Sequence, residues 1–164
     1  MKIIVFSDSH GNHFDMEKAL RKHSDAKAVI FCGDGHNDIN DVRRHYRDKT
    51  FYCVKGNCDW CCEFPTVIAV TIAGKKFVIT HGHVQRVKES LMQLAYLGQH
   101  ENADIVTFGH THQQLTVLES NMILLNPGSV GYAGQYSTIE IDEETGSVTV
   151  KEFPPNKHGT FVVK

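Results

Sequence analysis

Side chains able to bind a metal or move a proton fall into five short groups in this chain. Asp8 and His10 form Asp-x-His, Asp34 lies in Gly-Asp-Gly and Asn57 follows Gly56. His81-Gly82-His83 and His110-Thr111-His112 are two His-x-His pairs. Taken singly, the glycine-flanked Asp34 and Asn57 read as turns, and one histidine of the 81/83 pair could be purely structural. What unites the groups is their position, because each follows an apolar run. Oxygen and imidazole donors without thiolate suit Mn²⁺, Ni²⁺, Fe or Zn²⁺, and Mg²⁺ less well given so many histidines. Two such ions bring more positive charge than Asp8 and Asp34 remove. The surplus favours a phosphate group and a bridging hydroxide.

The apolar runs must be the elements that aim these groups. IIVF (3–6), AVIFC (28–32), TFYCV (50–54), KFVIT (76–80) and DIVTF (104–108) read as buried strands. Helices are predicted over 14–23, with Phe14, Ala19 and Leu20 sharing a face, and over 38–47, with Ile39, Val42 and Tyr46 at helical spacing. A third is predicted over 86–99, presenting Val87, Leu91, Leu94, Ala95 and Gly98 on one side. VIAVTI and KFVIT flank Ala73-Gly74-Lys75 as a hairpin, LTVLES and MILLNPGS follow, and residues 137–153 form a second hairpin. Pro154-Pro155 breaks the pattern and leaves a final strand undecided. The first half alternates strand and helix, which implies parallel pairing, and the second is rich in hairpins. The expectation is an α/β protein with mixed sheets and helices outside. Ligands of such sheets bind beyond the carboxyl ends of the strands, where all five groups lie.

The bulk properties exclude little else. A length of 164 residues suits one domain spanning 1–164. Seventeen Lys and Arg against nineteen Asp and Glu give a net charge of −2, which argues against a broad nucleic-acid or anionic-membrane surface. No run approaches a membrane span, and the N-terminus lacks the features of a signal peptide, so the cytoplasm is the default compartment. Cys32, Cys53, Cys58, Cys61 and Cys62 are odd in number and clustered, and read as reduced thiols.

Taken in order, DSHGN (8–12), GD (33–34), GNCD (56–59), THGH (80–83), GHTH (109–112) and NPGS (126–129) resemble the calcineurin-like metallophosphoesterase superfamily. The short chain and the GNCD variant look most like its small YfcE-like and MJ0936-like phosphodiesterases. The resemblance implies a four-layer αββα sandwich with the site at one edge. It implies two metal ions, Mn²⁺ first among the candidates. Asp8, His10, Asp34 and His112 would hold one ion, and Asp34 would bridge to a second held by Asn57, His81 and His110. A metal-bridging hydroxide would attack phosphorus in line, probing a small phosphoester, a nucleotide among the options. Asn57, Cys58, Asp59 and His83 are the candidate catalytic residues, with His83 behind the ligands or facing the substrate. The resemblance also points to a homodimer or homotetramer, since similar proteins are often dimers or tetramers. The chain departs from the common pattern at Cys58, where a histidine is thought to protonate the leaving oxygen. A thiol is a weak donor, so diesters with good leaving groups are favoured over monoesters. Rival expectations are a metal-binding scaffold of the same fold and a phosphomonoesterase or nucleotidase.

Overall fold

The structure is a computed structural model that describes residues 1–155 and 160–163. Strand alternation organises it. In β1 (Lys2–Phe6), Ile3 and Val5 face one side while Ile4 and Phe6 face the other. The same division holds in β2 (Ala28–Phe31), β5 (Lys75–Thr80) and β8 (Met122–Pro127). Successive side chains on a strand point to opposite faces, so a strand apolar at every position must be covered twice.

Two sheets provide one of the covers. The first has the order β11-β10-β9-β1-β2-β3, with β3 (Thr50–Cys53), β9 (Tyr136–Ile141), β10 (Val148–Phe153) and β11 (Thr160–Val163). The second has the order β4-β5-β6-β8-β7, with β4 (Val67–Ile72), β6 (Ile105–Thr107) and β7 (Gln114–Glu119). Ile3, Val5, Ile30, Phe77, Ile79, Ile105, Leu125 and Ile139 fuse in one core between them. Outside the first sheet, α1 (Phe14–Lys22) and α2 (His36–His45) bury Met16, Leu20, Ile39 and Val42 against Ile4, Phe6 and Phe31. Outside the second, α3 (Met92–His100) buries Leu94 against Val78, Val106 and Leu124. The result is the expected αββα order. No helix among the described residues is long and apolar enough to cross a membrane.

Parallel pairs β1–β2 and β2–β3 in one sheet, and β5–β6 and β6–β8 in the other, align carboxyl ends within each sheet. Hydrogen bonds then join the sheets at that edge. The Gly109 N–H donates to the His81 carbonyl at 3.0 Å within the second sheet, and the His110 N–H reaches across to Asp8 Oδ2 at 3.1 Å.

Two elements differ from the sequence expectation, and one that it left open is settled. The helix expected over 86–99 begins only at Met92. Arg86 adopts a φ of 53°, and residues 83–89 form turns closed by bonds such as Val87 N–H to the Gly82 carbonyl. Val87 is still buried, as its helical spacing implied, but it packs over Gly82, where a Cβ would meet its methyl at 2.8 Å. A short helix, α4 (Val130–Ala133), lies in a stretch without helical periodicity. The strand left undecided after the Pro-Pro pair is β11, paired antiparallel with β10.

Candidate metal centre

Asp8 is fully buried at the end of β1. Its Oδ2 accepts from the Ser7 hydroxyl at 2.5 Å and from the His110 N–H. Its Oδ1 is buried without a hydrogen-bond partner. That oxygen lies 3.1 Å from His112 Nε2, 3.6 Å from His10 Nε2 and 4.0 Å from His81 Nε2. An unpaired buried carboxylate oxygen is costly, and a cation among these nitrogens would satisfy it.

His81 shows which nitrogen is offered. Its Nδ1 lies 2.7 Å from the Cys32 carbonyl, an acceptor only, so Nδ1 carries the proton of the neutral ring. Nε2 is then the nitrogen left for a metal, and it faces Asp34 Oδ2 (3.3 Å), Asn57 Oδ1 (3.2 Å) and His110 Nδ1 (3.2 Å). His10 and His112 face each other in the same way, Nε2 to Nε2 at 3.3 Å. Lone pairs converging on one another and on carboxylates repel unless a proton or a metal lies between them.

The donors form two neighbouring groups, Asp8–His10–His112 and Asp34–His81–His110, and in each the ligand atoms lie within 4.8 Å of one another. A third group, His10–Asp34–Cys58, links them. With Asn57 beside His81, all seven expected ligands converge. Five of them, Asp8, His10, Asp34, His110 and His112, have left-handed backbone, with φ from 45° to 69°. Asp and His visit this region more readily than most residues, at a cost on the order of 1–3 kcal/mol each. Such strain concentrated at one cluster is typical of a functional site. Close approach requires glycine at two neighbours. A Cβ on Gly56 would stand 2.0 Å from Asp34 Oδ1, and one on Gly109 would stand 1.9 Å from Ser7 Oγ.

Charge is balanced within the cluster. Burial raises the Asp34 carboxyl, but hydrogen bonding and charge from His81, with the Cys58 N–H at 2.8 Å, outweigh it and hold Asp34 well below the usual carboxylate range. Burial lowers His81, and Asp34 and Asp8 more than reverse this. The negative potential that favours a proton there favours a metal equally. His110 is pushed down to about 4 by burial and then by the His81 and Lys88 charges. It therefore offers a free lone pair at neutral pH. Oxygen and imidazole donors of this kind fit divalent transition ions.

The remaining candidates divide. Cys58 is exposed beside Asp34, and its sulfur accepts from the Asn57 amide at 3.3 Å. Burial, then the Asp34 carboxylate, pushes its thiol up. The His83 ring lies tilted against that of His81 at 5.4 Å, outside the three groups, with a buried Nδ1 that has no hydrogen-bond partner. Asp59 turns to the backbone. Its oxygens accept from the N–H groups of Asp34, Gly35, His36 and Gly56 at 2.8–2.9 Å. These bonds outweigh the upward push of burial and lower its pKa.

Several supporting residues escaped the sequence reading. Asn126 donates to the Gly109 carbonyl and to Thr111, fixing the loop of His110 and His112. Ser129 donates to the Asp8 carbonyl and caps α4. Asp38 accepts from the Ser9 hydroxyl and the Gly11 N–H, pinning the His10 loop to α2. Tyr132 lies 5.1 Å and 5.3 Å from the rings of His10 and His112. The NPGS motif pointed to Asn126 and Ser129 without saying what they do. Asp38 and Tyr132 gave no signal, since their contacts are tertiary.

Comparisons with known proteins agree with this geometry. The calcineurin-like phosphoesterase superfamily domain matches residues 1–145. The probable metallophosphoesterase YsnB of Bacillus subtilis is 30% identical over 79% of this chain and 75% of its own length. Phosphodiesterase MJ0936 of Methanocaldococcus jannaschii is 28% identical over 86% of this chain and 92% of its own. A predicted phosphoesterase from Streptococcus pneumoniae superposes with a TM-score of 0.79 at 27% identity, covering 99% of this chain and 96% of that one. Vps29 of Entamoeba histolytica, solved with Zn²⁺, gives 0.76 at 20% identity over 99% and 97%, a likeness of fold alone. The six motifs, the two-sheet sandwich and these relatives together show that the chain belongs to the calcineurin-like phosphoesterase superfamily.

Proposed function

We propose that residues 1–164 act as one domain, a dinuclear-metal phosphoesterase of the cytoplasm whose substrate is a phosphodiester. The observation that carries the proposal is the unpaired, buried Asp8 Oδ1 facing three imidazole nitrogens beside the Asp34 group. Asp8, His10 and His112 would hold one divalent ion, and Asp34, His81, His110 and Asn57 the other, with Asp34 near enough to His10 to serve both. Mn²⁺ is the first choice, with Ni²⁺, Fe, Zn²⁺ and Mg²⁺ as alternatives. When bound, such ions acidify water and neutralise charge on a phosphoryl group.

The chain's own residues supply the rest. The buried Asp8, Asp34 and His81 keep the floor of the site fixed, while the exposed Asn57 and Cys58 form its open side. Asn57 can orient a phosphoryl oxygen through its amide. Cys58 remains a neutral thiol near pH 7 and donates weakly to a leaving oxygen. That favours an ester whose leaving group departs without strong protonation, and the MJ0936 relative carries the name phosphodiesterase.

The test is hydrolysis of bis-p-nitrophenyl phosphate beside p-nitrophenyl phosphate by chelated protein, with and without Mn²⁺. Metal-dependent cleavage that favours the diester is expected. Equal or faster cleavage of the monoester would overturn the diester preference. A protein that binds metal and cleaves neither ester would support a second reading, a metal-binding scaffold. The exposed apolar Val84, Met92 and Tyr96 favour that reading.

A further inference from the structure

Tyr132 stands against the histidines of one metal group, yet 71% of it is open to solvent. Its place is fixed by the site itself. The Tyr132 N–H donates to Ser129 Oγ at 3.1 Å, and that hydroxyl donates to the Asp8 carbonyl at 2.8 Å. The Gly131 N–H also donates to the Asp8 carbonyl, and a Cβ on Gly131 would stand 2.0 Å from the Ser9 carbonyl oxygen. The backbone beside Tyr132 is therefore pressed against the loop that carries Asp8 and His10. Two more exposed aromatics leave site loops: Phe14, four residues after His10, and Trp60, two residues after Cys58, are 69% and 81% exposed. Aromatic rings are large apolar surfaces that usually find a partner. A ring placed beside the cluster by this anchored backbone and left uncovered is suited to a partner that arrives with the substrate.

We propose that Tyr132 is a specificity-determining residue that stacks on a planar aromatic ring of the substrate, and that the substrate class is a nucleoside phosphodiester. The inference rests on the phosphodiesterase reading and names its substrate. A diester carries one alcohol that leaves and one that stays, and either can lie along the wall beside His10 and His112. A nucleobase offers a π-face to tyrosine whatever its sequence identity. A net charge of −2 suits a small nucleotide better than a long polyanion.

The experiment compares Mn²⁺-loaded wild type, Tyr132→Ala and Tyr132→Phe on thymidine 5′-p-nitrophenyl phosphate and methyl p-nitrophenyl phosphate, which share a leaving group. Tyr132→Ala is expected to lower kcat/KM for the nucleoside diester more than for the methyl diester, by on the order of tenfold and mainly through KM. Tyr132→Phe should keep the wild-type ratio. Calorimetric titrations with Mn²⁺ and with AMP accompany the kinetics. An equal effect on both esters, or none, overturns the proposal. So does a loss of Mn²⁺ affinity in Tyr132→Ala that accounts for the kinetic change, because Tyr132 would then only support His10 and His112. If wild type cleaves neither diester, the phosphodiesterase reading fails and AMP binding decides the stacking. Weaker AMP binding by Tyr132→Ala, but not by Tyr132→Phe, supports it, and unchanged or undetectable binding overturns it.

Discussion

Cys58 and Asp59 are neighbours with opposite tasks. Cys58 is exposed beside Asp34, and the family resemblance would put a proton donor for the leaving group at its position. A positioned acid is worth about 10²–10⁴-fold. Cys58→His is expected to raise hydrolysis of alkyl phosphate monoesters at least about tenfold and to change p-nitrophenyl esters little. Steady-state rates on both ester types check this, and unmoved alkyl ester rates would mean that Cys58 does not occupy an acid's place. Asp59, by contrast, spends its carboxylate on four backbone N–H groups around the Asp34 turn. Asn in its place would turn an N–H₂ toward those donors. Hydrogen bonds to a charged acceptor are worth about 1.5–3 kcal/mol. Asp59→Asn should therefore lower stability by about 2–4 kcal/mol in urea unfolding, with metal affinity falling alongside. Lost turnover at unchanged stability would instead make Asp59 a proton carrier.

At the scale of elements, β9 and β10 meet α1 through His23. His23 caps α1, lies 3.2 Å from the Tyr136 hydroxyl and packs edge-on against Phe153. Burial, then the charges of Lys2 and Lys22, lowers its pKa below the ordinary 6.5. The folded state thus resists a proton that the unfolded chain accepts. Its contribution to stability is complete above about pH 6.5 and is lost as pH falls from there toward the folded value. Urea unfolding between pH 7.5 and 5 should show wild type losing more stability than His23→Gln, and identical slopes would contradict this account.

The elements also show what the sequence could reveal. Strands with apolar residues at every position were legible because both faces are buried, and the donor groups were legible because they follow those strands. Helix α4 was not: Val130-Gly131-Tyr132-Ala133 has poor helix propensity and is held by Ser129 and by N–H bonds to the Ser7 and Asp8 carbonyls. The helix expected from residue 86 failed at its start because apolar spacing cannot report the left-handed turn at Arg86. In the site, side-chain types were readable, but which oxygen of Asp8 stays unpaired, and where Asp59 points, depend on contacts between distant segments.

For the whole molecule, the cluster is also a joint. Asp8, His10, Asp34 and Asn57 follow strands of one sheet, and His81, His110 and His112 follow strands of the other. Metal bound between them would tie the sheets together at one edge. A ligand that binds only the folded state, at a hundred times its Kd, stabilises by about 2.7 kcal/mol. For a chain of this size, one such site corresponds to roughly 5–10 °C in Tm. Mn²⁺ should raise the Tm of chelated protein by at least that amount in calorimetry, and an Asp8→Asn variant should lose most of the gain. No shift at saturating Mn²⁺ would contradict a joint of this kind.

The proposed function depends on two ions at this edge of the sandwich. Anomalous diffraction from crystals grown with Mn²⁺, recorded on both sides of the manganese edge, tests it directly. Two peaks are expected, one among Asp8, His10 and His112 and one among Asp34, His81, His110 and Asn57. A single peak, or peaks away from these residues, would contradict the dinuclear centre.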